Sequence, residues 1–216
     1  MITHGEQGDL AFCRAGDESW TILRRGFRPY DDIIYHKERF YTLGNHGGLD
    51  AWDVSSSSPK RTVIAQVPPV LTGGRVIHKR YLVESSGDLL LVLRHDYFDD
   101  DANSPSQLHR TGGFKVFKLE ERSSMNPRWV EVKSIGDRVL FLGDNYSVSI
   151  SAREFPECSA NCIYFTDDNG LDCSINTEWG VHDLGIFNIQ EKTIQSCYPT
   201  ESLRIIGRSV WVTPSL

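Results

Sequence analysis

Residues 32–54 decide the fold: Asp32-Ile33-Ile34-Tyr35-His36 turns into Arg39-Phe40-Tyr41-Thr42-Leu43, which continues through Gly47-Gly48 into Leu49-Asp50-Ala51-Trp52-Asp53-Val54. Each run is short, rich in β-branched and aromatic residues, and closed by turn-forming residues, which is the pattern of successive β-strands. The unit recurs. Arg80-Tyr81-Leu82-Val83-Glu84 turns at Ser86-Gly87-Asp88 into the apolar run 89–93, and after an insertion the chain resumes at Gly113-Phe114-Lys115-Val116-Phe117-Lys118-Leu119. A third copy pairs Asn161-Cys162-Ile163-Tyr164-Phe165 with Leu184-Gly185-Ile186-Phe187-Asn188-Ile189 across an inserted loop.

Outward from these copies the period stays near two. Strands are predicted at 32–36, 39–43, 49–54, 61–67, 79–84, 88–94, 114–119, 129–134, 138–142, 146–152, 161–166, 184–189 and 209–213, with weaker ones at 10–13 and 19–23. No stretch carries a capped apolar stripe at helical spacing. The tryptophan strands around Trp20 and Trp129 add a second recurring element. The five tryptophans are expected to pack as core residues, since they recur with the repeat. Repeated hairpin-plus-strand units with one aromatic each predict an all-β chain, a partial β-propeller of about four blades of short antiparallel strands. It reads as one domain over 1–216, with blade-level units near 10–67, 75–135 and 138–216.

Composition narrows the function. The chain has 216 residues, 39% hydrophobic and 24% charged, with a net charge of −6. Such a balance gives no attraction for nucleic-acid phosphates or an anionic membrane surface. The longest strictly apolar run, 89–93, falls far short of the ~20 residues of a membrane helix. The opening MITHGEQGDL has neither a basic nor an apolar signal region. Five scattered cysteines suit reduced thiols in the cytoplasm or nucleus better than a disulfide framework.

The segment Tyr81-Leu82-Val83-Glu84-Ser85-Ser86-Gly87-Asp88-Leu89-Leu90-Leu91-Val92 resembles the most recognisable stretch of a plant family of F-box proteins with a kelch-like, KIB-type β-propeller. So do Phe114-Lys115-Val116-Phe117-Lys118-Leu119 with Trp129-Val130-Glu131-Val132, Leu140-Phe141-Leu142-Gly143 with Ser147, and Asn161-Cys162-Ile163-Tyr164-Phe165-Thr166-Asp167-Asp168. Leu184-Gly185-Ile186-Phe187 and Trp211-Val212-Thr213-Pro214 complete the series in the same order. The resemblance implies a protein-interaction module of the kind that presents substrates to an SCF-type ubiquitin ligase. In that family a helical F-box docks Skp1. This sequence opens on an expected mid-propeller strand, Leu10-Ala11-Phe12-Cys13, with no such helical segment, so Skp1 binding is not expected of it. A propeller enzyme, a sugar-binding protein and a decayed paralogue stay open as other readings.

No catalytic residue emerges, because no nucleophile–base or phosphate-cradling motif is present. No cofactor is implied. Cys158, Cys162, Cys173 and His182 lack the tight pairs of structural zinc sites, and Cys162 lies within a strand, so a buried thiol and incidental loop thiols are expected instead. His36 is expected at the surface of a turn. Asp96, Asp99, Asp100 and Asp101 lack the order of a calcium loop and read as solvated turn chemistry. Their insertion, 95–112, also carries aromatics, and long loops on a rigid β scaffold are where recognition resides. Tyr97, Phe98, Asp99, Asp100, His109 and Arg110 are therefore the candidate partner-binding residues.

Overall fold

The computed structural model describes residues 2–4, 9–25, 29–56, 58–68, 77–97, 110–121, 126–166, 183–196 and 211–212. Sixteen strands and no helix occupy these residues, in four sheets. β1 (Ile2–His4), β2 (Asp9–Phe12) and β3 (Thr21–Arg24) form a three-stranded sheet. β4 (Tyr30–His36), β5 (Arg39–Gly44), β6 (Gly48–Asp53) and β7 (Lys60–Gln66) form a meander in chain order. A second four-stranded sheet has β8 (Ile77–Ser85), β9 (Asp88–Tyr97), β10 (Arg110–Glu120) and β11 (Arg128–Val132), again in chain order. The fourth runs β13-β12-β14-β15-β16, with β12 at Arg138–Leu142, β13 at Val148–Ser151, β14 at Cys162–Phe165, β15 at Gly185–Asn188 and β16 at Thr193–Gln195. The all-β, blade-like organisation expected from the repeat is what the chain adopts.

By contact density the chain divides into two compact units. The first holds Met1–Val70, Arg80–Leu91 and Phe117–Val130; the second holds Leu71–Lys79, Val92–Val116 and Glu131–Leu216. In the first unit, turn chemistry sets the register. Lys37 and Glu38 both have positive φ (43° and 62°), as do Ser86 and Gly87 (53° and 83°), so two tight turns match the right-handed twist of their strands. β4 and β5 then pair with His36 opposite Arg39 and Tyr35 opposite Phe40, and β5 pairs with β6 with Phe40 opposite Trp52. Leu43 and Leu49 are fully buried, and Trp52 is buried with its indole N–H donating to Thr42 Oγ1 at 3.0 Å. Asp32 Oδ2 accepts the Leu82 N–H at 2.7 Å, and Asp31 takes an ion pair from Arg80 at 2.7 Å. These carboxylates satisfy backbone and guanidinium groups that strand pairing leaves over.

In the second unit one pairing of the β12–β16 sheet is parallel: Val139, Leu140, Phe141 and Leu142 of β12 face Cys162, Ile163, Tyr164 and Phe165 of β14. A parallel neighbour requires a crossover instead of a hairpin, and residues 152–161 supply it. Asn161, with φ of 59°, ends that crossover. Its N–H donates to Arg138 O at 2.9 Å, its side chain accepts from Ile135 N at 2.9 Å, and its carbonyl accepts from Ile189 N at 3.1 Å. One residue thus joins β12, β14 and the end of β15.

Five expectations change. β1 precedes the strand at Leu10 and pairs with it, Ile2 opposite Ala11, so that strand has a neighbour on its N-terminal side. β16 follows β15 at residues where no strand is predicted from the sequence. Trp20 is half exposed, because it lies just before β3 at the end of a three-stranded sheet, whereas Trp52 and Trp129 are buried as expected. His36 is 7% exposed instead of a surface group, since it closes β4 against Tyr41, with ring centroids 6.1 Å apart. The expected insertion at 95–112 is narrower, because β9 runs on to Tyr97 and β10 starts at Arg110; Asp96 is consequently buried and not part of a solvated turn. The expected strand at 209–213 lies mostly outside the described residues.

Candidate functional site

The long strands β9 and β10 hold the two ends of the connection proposed from sequence to meet a partner. Tyr97 is the last residue of β9 and Arg110 the first of β10. Phe98, Asp99, Asp100 and His109 lie outside the described residues. What can be built from the residues upward is the base of that connection, all within the second unit.

Its centre is Arg94, which follows the apolar run 89–93 and is 2% exposed. A buried guanidinium is tolerated only when its charge is paired and its N–H groups are used. Here they are. Nε donates to Thr111 Oγ1 at 2.7 Å, Nη1 to Thr166 O at 2.9 Å, and Nη2 to Asp183 Oδ2 at 2.8 Å and Asp183 O at 3.2 Å. Asp183 Oδ2 also accepts from Thr111 N at 2.8 Å and Thr111 Oγ1 at 2.7 Å. The guanidinium lies over the Phe165 ring at 5.0 Å and the Phe114 ring at 5.9 Å.

Those rings form an aromatic floor. Phe114 tilts against Phe165 at 5.1 Å and against Phe187 at 5.3 Å, so β10, β14 and β15 are joined through one side chain. Gly113 makes the close approach possible. Its φ is +145°, and a Cβ there would lie 3.2 Å from the His95 ring and 3.3 Å from Phe187. His95 and Thr111 are buried beside it. Arg94 therefore reaches three places in the chain at once: Thr111 on β10, Thr166 at the end of β14, and Asp183 just before β15. It secures the residues flanking both 98–109 and 167–182.

Chemically the cluster is a charge-compensated staple. Asp183 is occupied by three donors and Arg94 by four contacts, which leaves no poised base or nucleophile among them. Cys162 and Cys158 are similarly unpoised. Burial pushes the Cys162 thiol above its ordinary pKa, with Glu191 adding to the effect, and burial followed by Glu157 does the same for Cys158. Both shifts disfavour the thiolate that metal binding and nucleophilic attack require. Cys173 and His182 lie outside the described residues. Among the described residues no group of three or more His, Cys, Asp or Glu is placed to hold a metal ion, and no helix is long and apolar enough to cross a membrane.

Sequence reasoning missed the Arg94–Thr111–Asp183 cluster. The available signal was an arginine placed directly after five apolar residues, with no Gly or Pro between it and Tyr97. Its partner at 183 has no local cue, because it lies 89 positions away.

Comparison with known proteins extends this picture. A family model described as the KIB1-4 beta-propeller matches residues 1–188. The chain is 31% identical over 210 residues to F-box protein SKIP23 of Arabidopsis thaliana, covering 90% of this chain and 48% of that protein. It is 27% identical over 217 residues to the putative F-box protein At5g55150 of the same plant, covering 100% of this chain and 56% of that protein. F-box protein At2g26160, also from Arabidopsis thaliana, is 30% identical over 171 residues, 76% of this chain and 48% of its own length. The chain spans about half the length of the curated relatives it matches. No solved structure matches it. Four sheets of short strands, together with a family match that runs from the first residue through β15, establish that the chain belongs to the KIB1-4 beta-propeller family of plant F-box-associated domains.

Proposed function

We propose that the chain is a non-catalytic protein-interaction module, one propeller domain that recognises a protein destined for an SCF-type ubiquitin ligase. The observation that carries this reading is the propeller shared with relatives named as F-box proteins. The base of the β9–β10 connection supports it. A buried, fully bonded arginine is costly to build, and here it is used to hold the residues on either side of a connection rich in aromatic and charged residues. Rigid support beneath a loop lowers the ordering cost of binding. Tyr97, Phe98, Asp99, Asp100, His109 and Arg110 are the proposed contact residues, with the aromatics as anchors and the charges setting orientation. The partner is a protein, bound without a cofactor, in the cytoplasm or nucleus. Skp1 is not bound by this propeller itself in this reading.

The test is affinity capture from plant extract with the whole chain, read by mass spectrometry beside a Tyr97→Ala/Phe98→Ala double variant of equal thermal stability. The reading expects a reproducible protein set that the variant loses by tenfold or more, with Skp1 absent when no F-box is supplied. An identical set from both chains would remove the loop from the proposal. Direct Skp1 binding by the chain alone would overturn the division of labour.

A further inference from the structure

Between β6 and β7 the chain reads Ser55-Ser56-Ser57-Ser58-Pro59-Lys60-Arg61. Pro59 has no N–H to give a sheet, and β7 begins at the next residue, Lys60. A residue before proline is pushed towards extended backbone, so Ser58 is biased to the conformation in which a kinase groove takes its substrate. Ser58 and Lys60 are exposed. β7 is the last strand of its sheet, so the serine and the residues after it lie at an edge and not between strands. A serine followed by proline and then by two basic residues offers a kinase three handles: a hydroxyl, a ring that needs no backbone donor, and cations for an acidic pocket. Arg61 is held by Asp50 at 2.9 Å with its side chain still 44% exposed, so the pair is open to competition from solvent and from a partner.

A second observation concerns what would receive the product. Arg14, in the turn after β2, places its guanidinium over this same connection. Its Nη2 donates to Ser56 O at 2.8 Å and to Val54 O, and the group lies 4.9 Å from the Phe12 ring. Among the described residues no carboxylate pairs with that guanidinium. Ser56 Oγ in turn donates to Ser58 O at 2.8 Å, so one residue links the arginine to the serine. Asp53, the neighbouring negative charge, is occupied by the N–H and hydroxyl of Ser55 at 2.9 and 2.6 Å and faces Lys60 across the strands.

We propose that Ser58 is a phosphorylation site for a proline-directed protein kinase and that Arg14 receives the phosphate. The γ-phosphoryl of ATP is transferred: the Ser58 Oγ–P bond forms, the bond from Pγ to the β–γ bridging oxygen breaks, ADP leaves, and the hydroxyl proton passes to the kinase's base. The product carries about −1.5 to −2 charges at pH 7. Arg14 exchanges neutral carbonyls for phosphate oxygens, which form shorter, stronger, bidentate bonds. The β6–β7 turn is then tied to the end of β2 by an ion pair that the unmodified chain lacks, and a neutral serine run becomes an anionic feature.

The whole chain is incubated with a proline-directed kinase and magnesium ATP, beside a standard substrate that reports kinase activity. One phosphoryl group on Ser58 is expected, absent in Ser58→Ala and reduced at least tenfold in Pro59→Ala. No incorporation while the standard substrate is modified, or incorporation only at the preceding serines, overturns the site. The phosphorylated chain is then titrated by phosphorus NMR. The second ionisation is expected below the value of about 6 for a free phosphoserine, returning to it in Arg14→Gln and partly restored in Arg14→Lys. Equal midpoints in wild type and Arg14→Gln overturn the role given to Arg14. That midpoint reads the local charge, so it separates receipt of the phosphate from a general loss of stability.

Discussion

Arg94 Nη2 and Asp183 Oδ2 meet at 2.8 Å across 89 positions of sequence, with side chains 2% and 24% exposed. The pair joins β9 to the chain two residues before β15 and is completed by Thr111, which both accepts from the arginine and donates to the aspartate.

Removing one member leaves the other without its charge partner. Asp183→Ala is expected to destabilise the chain by about 3 kcal/mol or more, because an unpaired buried guanidinium remains. Arg94→Met, which removes the buried charge and keeps an apolar stem, is expected to cost less. Urea unfolding of both variants checks this, and a larger loss for Arg94→Met would contradict the charge argument.

Gly185 allows β15 and β16 to come together. A Cβ at that position would lie 2.7 Å from Gln195 O and 3.1 Å from the Phe165 ring. Gly185→Ala is expected to loosen the pairing of Ile186, Phe187 and Asn188 with Gln195, Ile194 and Thr193, at a cost of about 1–3 kcal/mol. Hydrogen exchange should accelerate at β16 first, while the β4–β7 meander stays protected.

His36 supplies a pH dependence. Burial lowers its pKa, Lys37 adds to that, and Glu84, Glu121 and Asp88 oppose it. The folded pKa therefore lies below the unfolded value of about 6.5, and the unfolded chain binds the extra proton. Stability is expected to be fully present above about pH 6.5 and to fall as the pH drops below it. His36→Gln should flatten that limb in thermal melts between pH 5 and about 7.5, where the imidazole titrates. An unchanged slope would show that other groups carry it.

Cys162 is 3% exposed and its thiol is pushed up by burial. Iodoacetamide at pH 8 is expected to leave it unmodified in the native chain and to modify it rapidly in urea, because only the exposed thiolate reacts. Cys158, half-buried in a turn, should be alkylated before Cys162. Peptide mapping of a timed reaction gives the order.

Strand positions were legible in the sequence because they depend on neighbours. The alternation in 32–54 and the two-residue breaks at Lys37-Glu38 and Ser86-Gly87 carry both the strands and their antiparallel register, since a tight turn leaves one pairing available. The ends of β9 and β10 were not legible. His95-Asp96 and Arg110-Thr111 are polar and read as loop, yet they fall within β9 and β10, and the Arg94–Asp183 pair takes up the Thr111 N–H and hydroxyl. The exposure of Trp20 and the burial of His36 were missed for a related reason: residue type sets a preference, while the presence or absence of a neighbouring strand sets the outcome.

By itself, then, the sequence determined that this chain is all-β, that its strands come in recurring hairpin units, and that it is a member of a plant propeller family, all properties of residues read in order. Only the tertiary structure decided that β14 lies parallel to β12, that Asp183 neutralises Arg94, and that Arg14 lies over the Ser56 carbonyl. Those relationships join residues 23 to 89 positions apart. Charge and hydrogen-bond satisfaction decide them, and neither leaves a period or spacing along the chain.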